Sequence, residues 1–150
     1  MPGWYFVTML VSQRHHAFGQ IANARMHLSP VGKLARDCLL ATGAHHRHAS
    51  IDTHIFMPNH LHVIYELDDG LPDTATIAVE GFGGPVKGSI PTLVRLYKAE
   101  VTRQAHRQHL PWPGWHRGYY ERIIRNASEL ERIRWYVQTN PVRWVAKPRL

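Results

Sequence analysis

The stretch FMPNHLHVIYEL, residues 56–67, sets two histidines one residue apart behind a Met-Pro-Asn turn. Neutral imidazoles are common ligands for divalent metals, so His60 and His62 are candidates for one metal site. Spacing alone does not decide the matter. With 12 His in 150 residues, about one His-x-His pair is expected by chance, and His46 and His48 in GAHHRHAS repeat the spacing. The alternation along HLHVIYEL separates the two pairs. Period 2 in a strand puts Leu61, Val63, Tyr65 and Leu67 on one face and His60, His62, Ile64 and Glu66 on the other. The apolar set anchors the strand, and the imidazoles project together from a rigid backbone, roughly 7 Å apart at their Cα atoms. GAHHRHAS reads as a polar connector after a helix and gives His46 and His48 no such anchor. Two ligands do not complete a site, and no His-Glu-x-x-His pattern supplies more. Farther along, Tyr136 and Asn140 in WYVQTNP stand four residues apart, neighbours on one helix face. Asn140 can lend a carbonyl oxygen to a metal. Read alone, Tyr136 is better explained as a tyrosine at the edge of a core, and Asn140-Pro141 as a helix stop.

The elements that must hold these residues follow from patterning. WYFVTMLV is a first strand, rich in aromatic and β-branched residues, rather than a signal peptide. Asn23 to Ser29 reads as a connector. Ser29 and Pro30 open a helix whose inward face is Val31, Leu34, Cys38 and Ala41. ASIDTHIFM and HLHVIYEL are two strands joined at Pro58-Asn59, pairing antiparallel. The Gly- and Pro-rich segment at about 68–88 is a variable loop. SIPTLVRLYKAEVTRQAHRQH resumes helical periodicity, with Leu93, Leu96 and Val101 inward and Arg95, Lys98 and Arg103 outward. LPWPGW is a rigid connector and YYERIIR a fourth strand. NASELERIRWYVQTN is a closing helix with Asn126 and Glu129 at capping-box spacing, and Pro141 marks its end. The order β-α-β-β-α-β-α is an α+β, ferredoxin-like plan with an added C-terminal helix. Two helices cover one face of its antiparallel sheet and leave the other face for a ligand.

Composition narrows the partner. Hydrophobic residues make up 44% and charged residues 19% of the chain, an ordinary globular balance. No apolar run approaches the roughly 18 residues of a membrane span. The one cysteine, Cys38, rules out an intrachain disulfide and a Cys-rich zinc site, and fits a cytoplasmic protein. Lys and Arg outnumber Asp and Glu 18 to 11, a net charge of +7, which suggests a polyanionic partner. In the last third of the chain the basic residues interleave with Trp and Tyr, a mixture suited to phosphate contacts and base stacking on single strands. A solvated helix face beside a Trp-anchored core explains the same mixture.

MPNHLH after one strand, followed by GYYERIIRNASELERIRWYVQTNPVRW, resembles the single-tyrosine (Y1) transposases of the IS200-like family, in particular the REP-associated tyrosine transposases. The resemblance spans nearly the whole 1–150 chain as a single domain. It implies an HUH-type endonuclease in which His60 and His62, flanking Leu61, are metal ligands and Asn140 completes the metal site. Tyr136 would be the nucleophile, while Tyr119 and Tyr120 match a pair on the preceding strand. The cofactor would be Mg²⁺ or Mn²⁺. The partner would be single-stranded DNA with hairpins or palindromic repeats, nicked and rejoined through a 5′-phosphotyrosine. Lys98, Arg117, Arg122, Arg125 and Arg132 are the candidate DNA contacts. Relatives of this kind occur as homodimers and as monomers, with a slight preference here for the dimer. The alternative on the same fold is a non-catalytic hairpin-binding module, and a third reading is a His-rich metal-binding protein with no nucleic-acid role.

Overall fold

The computed structural model describes residues 3–68 and 89–146. Beyond Asp68, the loop expected at about 68–88 lies outside the described residues. Four strands form one antiparallel sheet: β1 (Gly3–Leu10), β4 (Ala49–Met57), β5 (His60–Leu67) and β6 (Tyr120–Ile124), in the order β4-β5-β1-β6. This is the ferredoxin-like arrangement, with the first strand between the third and fourth strands of the plan. Helices α1 (Pro30–Leu40) and α3 (Ile90–Arg107) lie on one face, and a short α2 (Thr42–His45) leads into β4. The closing segment forms two helices, α4 (Ala127–Gln138) and α5 (Asn140–Ala146).

The residues between β1 and α1 depart from the expected connector. They form a hairpin, β2 (Gly19–Ala22) and β3 (Arg25–Leu28), paired from Gly19↔Leu28 to Ala22↔Arg25. Its turn residues, Asn23 and Ala24, have φ of 54° and 60°, the left-handed pair of a two-residue hairpin turn. Ala24 stands where such a turn usually has glycine, so the sequence signal was absent. α1 starts where expected, the Ser29 hydroxyl accepting from the Gly32 amide at 3.0 Å. Its buried face is Val31, Gly32, Ala35 and Leu39, rotated from the expected set, with Leu34 and Cys38 half-buried at the flank. Gly32 sets this rotation: a Cβ there would come within 2.2 Å of the Phe18 carbonyl oxygen.

The alternation in β5 is observed as read. Leu61, Val63, Tyr65 and Leu67 join Val7 and Met9 of β1 in a core packed on Ala35 and Leu39 of α1 and Leu93, Val94, Tyr97 and Val101 of α3. Leu96, expected inward, is 39% exposed beside a groove shared with Cys38 and Tyr97. The second face is not left free. Ile64, with Trp4, Phe6, Ile55 and Ile124, is apolar on that side, and α4 covers it with Leu130, Ile133 and Val137. Burying that patch brings the candidate tyrosine helix onto the histidine face. Asn126 caps α4 by accepting from the Glu129 amide at 2.8 Å. Pro141 does not end a helix: α4 stops at Gln138, and Pro141 lies in the first turn of α5, where its missing N–H leaves no intrahelical bond unmade.

Candidate active site

The register places His60 and His62 at one end of β5. His60 pairs with Leu10 and Met57, and His62 with Thr8 and Ile55. Their rings are edge-to-face at 4.8 Å between centroids, so the side chains converge as strand geometry requires. Each ring is held at Nδ1. His60 Nδ1 lies 2.7 Å from Asn59 Oδ1 and His62 Nδ1 lies 2.8 Å from Thr8 Oγ1. The Asn59 oxygen only accepts, so His60 carries its proton on Nδ1 and turns the Nε2 lone pair away from the strand. The Thr8 hydroxyl accepts in the same way when His62 is the Nδ1–H tautomer. This is the arrangement by which a protein orients metal-ligating histidines.

Burial and neighbouring charge keep both rings neutral. Desolvation, with help from Arg14, lowers His60 to about 4. Desolvation, then His60 and Arg143, lowers His62 to about 3. Neutral imidazole is the form that donates to a metal. Among the described residues, no group of three or more His, Cys, Asp or Glu side chains is placed to hold a metal ion. Two imidazoles therefore need an oxygen donor of another kind, such as an amide or a substrate phosphate. Asn140 is buried at the start of α5, four residues past Tyr136.

α4 brings Tyr136 to this pair. Its ring centroid is 5.6 Å from that of His62 and meets Phe6 edge-on at 6.2 Å. Phe6 also packs on His62 at 5.2 Å. Tyr136 is 40% exposed, so its ring lies between the sheet and solvent. The guanidinium of Arg143 is 4.2 Å from the Tyr136 ring centroid and 5.6 Å from that of Trp135. It donates to the Tyr136 carbonyl and to Thr139 Oγ1. α5 contributes Trp144, whose ring is 6.2 Å from His60 and 5.7 Å from His16.

His60, His62 and Tyr136 thus come together from one chain. The sequence reading missed Thr8 and Phe6, whose positions depend on register, Arg14, which depends on a turn after β1, and Arg143 and Trp144, which depend on where α5 packs. Gln13 and Arg14 in that turn have φ of 51° and 56°, a left-handed conformation uncommon for non-glycine residues. The candidate DNA contacts are scattered. Arg117, Arg125 and Arg132 are exposed. Arg122 is exposed on β6 but its Nε is 3.3 Å from a Glu129 oxygen. Lys98 belongs to α3, which packs on the other sheet face, and its ammonium donates to the carbonyls of His116 and Gly118.

No family model matches the chain. An uncharacterized protein of Haemophilus influenzae is 32% identical over 147 residues, covering 95% of this chain and 82% of that protein. The chain belongs to that protein's family. Among solved structures, a REP-associated tyrosine transposase bound to a REP hairpin superposes over 94% of this chain and 67% of its own, with a TM-score of 0.63 and 18% identity. A Deinococcus radiodurans protein assigned as a transposase covers 92% of this chain and 90% of its own, with a TM-score of 0.56 and 13% identity. The fold is that of the tyrosine transposases.

Proposed function

We propose that the protein is a metal-dependent endonuclease and transposase acting on single-stranded DNA, with Tyr136 as nucleophile. One observation carries this reading: two neutral, Nδ1-anchored imidazoles and a tyrosine ring 5.6 Å from one of them, in one chain. The REP hairpin bound to the structural neighbour supports hairpin-forming DNA as the substrate. His60 and His62, through Nε2, would hold Mg²⁺ or Mn²⁺, with the Asn140 amide oxygen as the third donor; nitrogen ligands favour Mn²⁺ in affinity. Such an ion, when bound, polarises a phosphate oxygen and orients the phosphodiester.

The chain's own groups supply the remainder. The Tyr136 phenolic oxygen attacks phosphorus, the P–O3′ bond breaks, and the strand is left with a 3′-OH and a 5′-phosphotyrosine. The phenolic proton is lost, and one proton returns to the departing 3′ oxygen. The phosphotyrosine bond conserves the energy of the phosphodiester, so a 3′-OH can reverse the step and join strands. Arg14 and Arg143 both act on the histidine pair and would lie close enough to offset phosphate charge. Arg117, Arg122, Arg125 and Arg132 would contact the strand outside the site, and Lys98 would do so only by giving up its carbonyl partners.

The test is a denaturing gel of labelled single-stranded oligonucleotides, drawn from palindromic repeats flanking the gene, after incubation with Mn²⁺. Wild type should form a covalent adduct that both Tyr136→Phe and His60→Ala abolish. An adduct that survives Tyr136→Phe would reject this nucleophile. Hairpin binding without any adduct across several repeats would favour the non-catalytic module.

A further inference from the structure

We propose that Trp135 is a stacking platform for one unpaired nucleobase of a DNA strand, beside the phosphate that Tyr136 would attack. The inference rests on the strand entering the site as described above, and concerns a residue that neither metal binding nor nucleophilic attack requires.

Trp135 is 64% exposed and belongs to neither core cluster. A tryptophan carries a large apolar surface, and leaving it in water is among the costlier choices for a helix exterior. The buried apolar stripe of α4 is Leu130, Ile133 and Val137, and Trp135 is not part of it. Tyr136, 40% exposed, shares the Arg143 guanidinium with Trp135 and extends the exposed aromatic patch. Such a patch next to a polar site marks a binding surface.

What surrounds the indole selects the occupant. Arg143 is within cation–π distance of both the Trp135 and Tyr136 rings. Its guanidinium is pinned by the Tyr136 carbonyl and by Thr139 Oγ1, which donates in turn to the Trp135 carbonyl at 2.8 Å. The guanidinium beside the two rings is therefore held by its own hydrogen bonds. An apolar protein helix docked here would have to cover a fixed guanidinium, whereas a nucleotide brings a π-face for the indole and a phosphate for the arginine. A paired base hides its face in the stack, so the occupant is a base from an unpaired segment. The net charge of +7 favours the same polyanion.

The experiment measures equilibrium binding of a fluorescent single-stranded DNA in the Tyr136→Phe background, where no cleavage occurs, at several salt concentrations. Trp135→Ala should weaken binding about tenfold, within the range for loss of one base stack, and Trp135→Phe should keep most of the affinity. The slope of log K against log salt should not change, because stacking releases no counterions. An oligonucleotide scan with single abasic sites should find one position whose loss matches that of Trp135→Ala and adds nothing to it. Unaltered affinity in Trp135→Ala, an altered salt slope, additive losses at every abasic position, or no binding to any single strand would each overturn the platform. Binding is read without chemistry, so a missing adduct with the stacking pattern intact would reject the nuclease reading alone. An adduct formed equally well by Trp135→Ala, with unchanged binding, would reject the platform alone.

Discussion

At the scale of residues, the account rests on small groups that point larger ones. Thr8 and Asn59 do no chemistry, yet each takes one imidazole nitrogen and so decides which nitrogen faces the site. Orienting partners of metal-bound histidines typically contribute 10–100-fold in affinity. Thr8→Val keeps the shape of the side chain and removes the hydroxyl, and it should lower Mn²⁺ affinity by about tenfold or more in a calorimetric titration. Affinity equal to wild type would show that Phe6 and the strand alone orient His62. The histidine pair itself was legible in the sequence because period 2 tied it to four apolar neighbours. Its orienting partners were not: Thr8 meets His62 only through the antiparallel register of β1 and β5, which a single sequence does not disclose. Arg14 was hidden for a similar reason, since its place near His60 depends on two left-handed residues.

At the scale of elements, the question is what keeps α4 on the histidine face. Part of the answer is the apolar contact of Leu130, Ile133 and Val137 with Ile64 and Phe6. The rest is a clamp from Arg134 to Asp52 of β4, with contacts of 2.9 and 2.6 Å to the two carboxylate oxygens. A two-pronged arginine contact to a half-buried carboxylate is stronger than a typical surface pair. The Arg134 hydrogen bonds hold Asp52 below the usual carboxylate range, against the opposing effect of burial. The clamp's stabilisation is therefore complete above the ordinary Asp pKa of about 3.9 and fades as pH falls through the lowered value. Arg134→Ala should cost on the order of 1–2 kcal/mol near neutral pH, and the deficit should shrink toward zero in strong acid. Urea unfolding at pH 7 and below pH 3 checks both parts; a deficit independent of pH would assign the loss to packing. Elements with strong periodicity, such as β4, β5 and α3, were legible. The β2–β3 hairpin was not, because Asn23-Ala24 lacks the glycine that announces such turns. The pairing of two helices across Asn140-Pro141 was not either, because Pro141 serves equally to stop one helix or to open the next.

At the scale of the molecule, excess positive charge, a sheet covered on both faces and a site at one end of β5 form one arrangement. Among the described residues no helix is long and apolar enough to cross a membrane. Single-strand binding should weaken steeply with salt, and Arg125→Ala or Arg132→Ala should each reduce the slope of log K against log salt by about 1 if that side chain meets a phosphate. Arg103, paired with Glu100 on α3, should change nothing when replaced by Ala, and an equal effect there would indicate diffuse attraction. The plan of the sheet was legible from element order, whereas the association of the strand of His60 and His62 with the Tyr136 helix came only from the resemblance of their two motifs to the single-tyrosine transposases. That α4 folds over the second face was not legible, because the plan itself leaves that face open.

The central claim is that the histidine pair and Tyr136 of the same chain work as one site. The direct measurement mixes Tyr136→Phe chains with His60→Ala chains and assays covalent adduct formation with Mn²⁺ and repeat-derived single strands, beside wild type. The account predicts adduct from wild type and none from either variant or from their mixture. Adduct restored in the mixture would mean that Tyr136 serves a partner's histidines, and adduct from Tyr136→Phe alone would mean that another residue is the nucleophile.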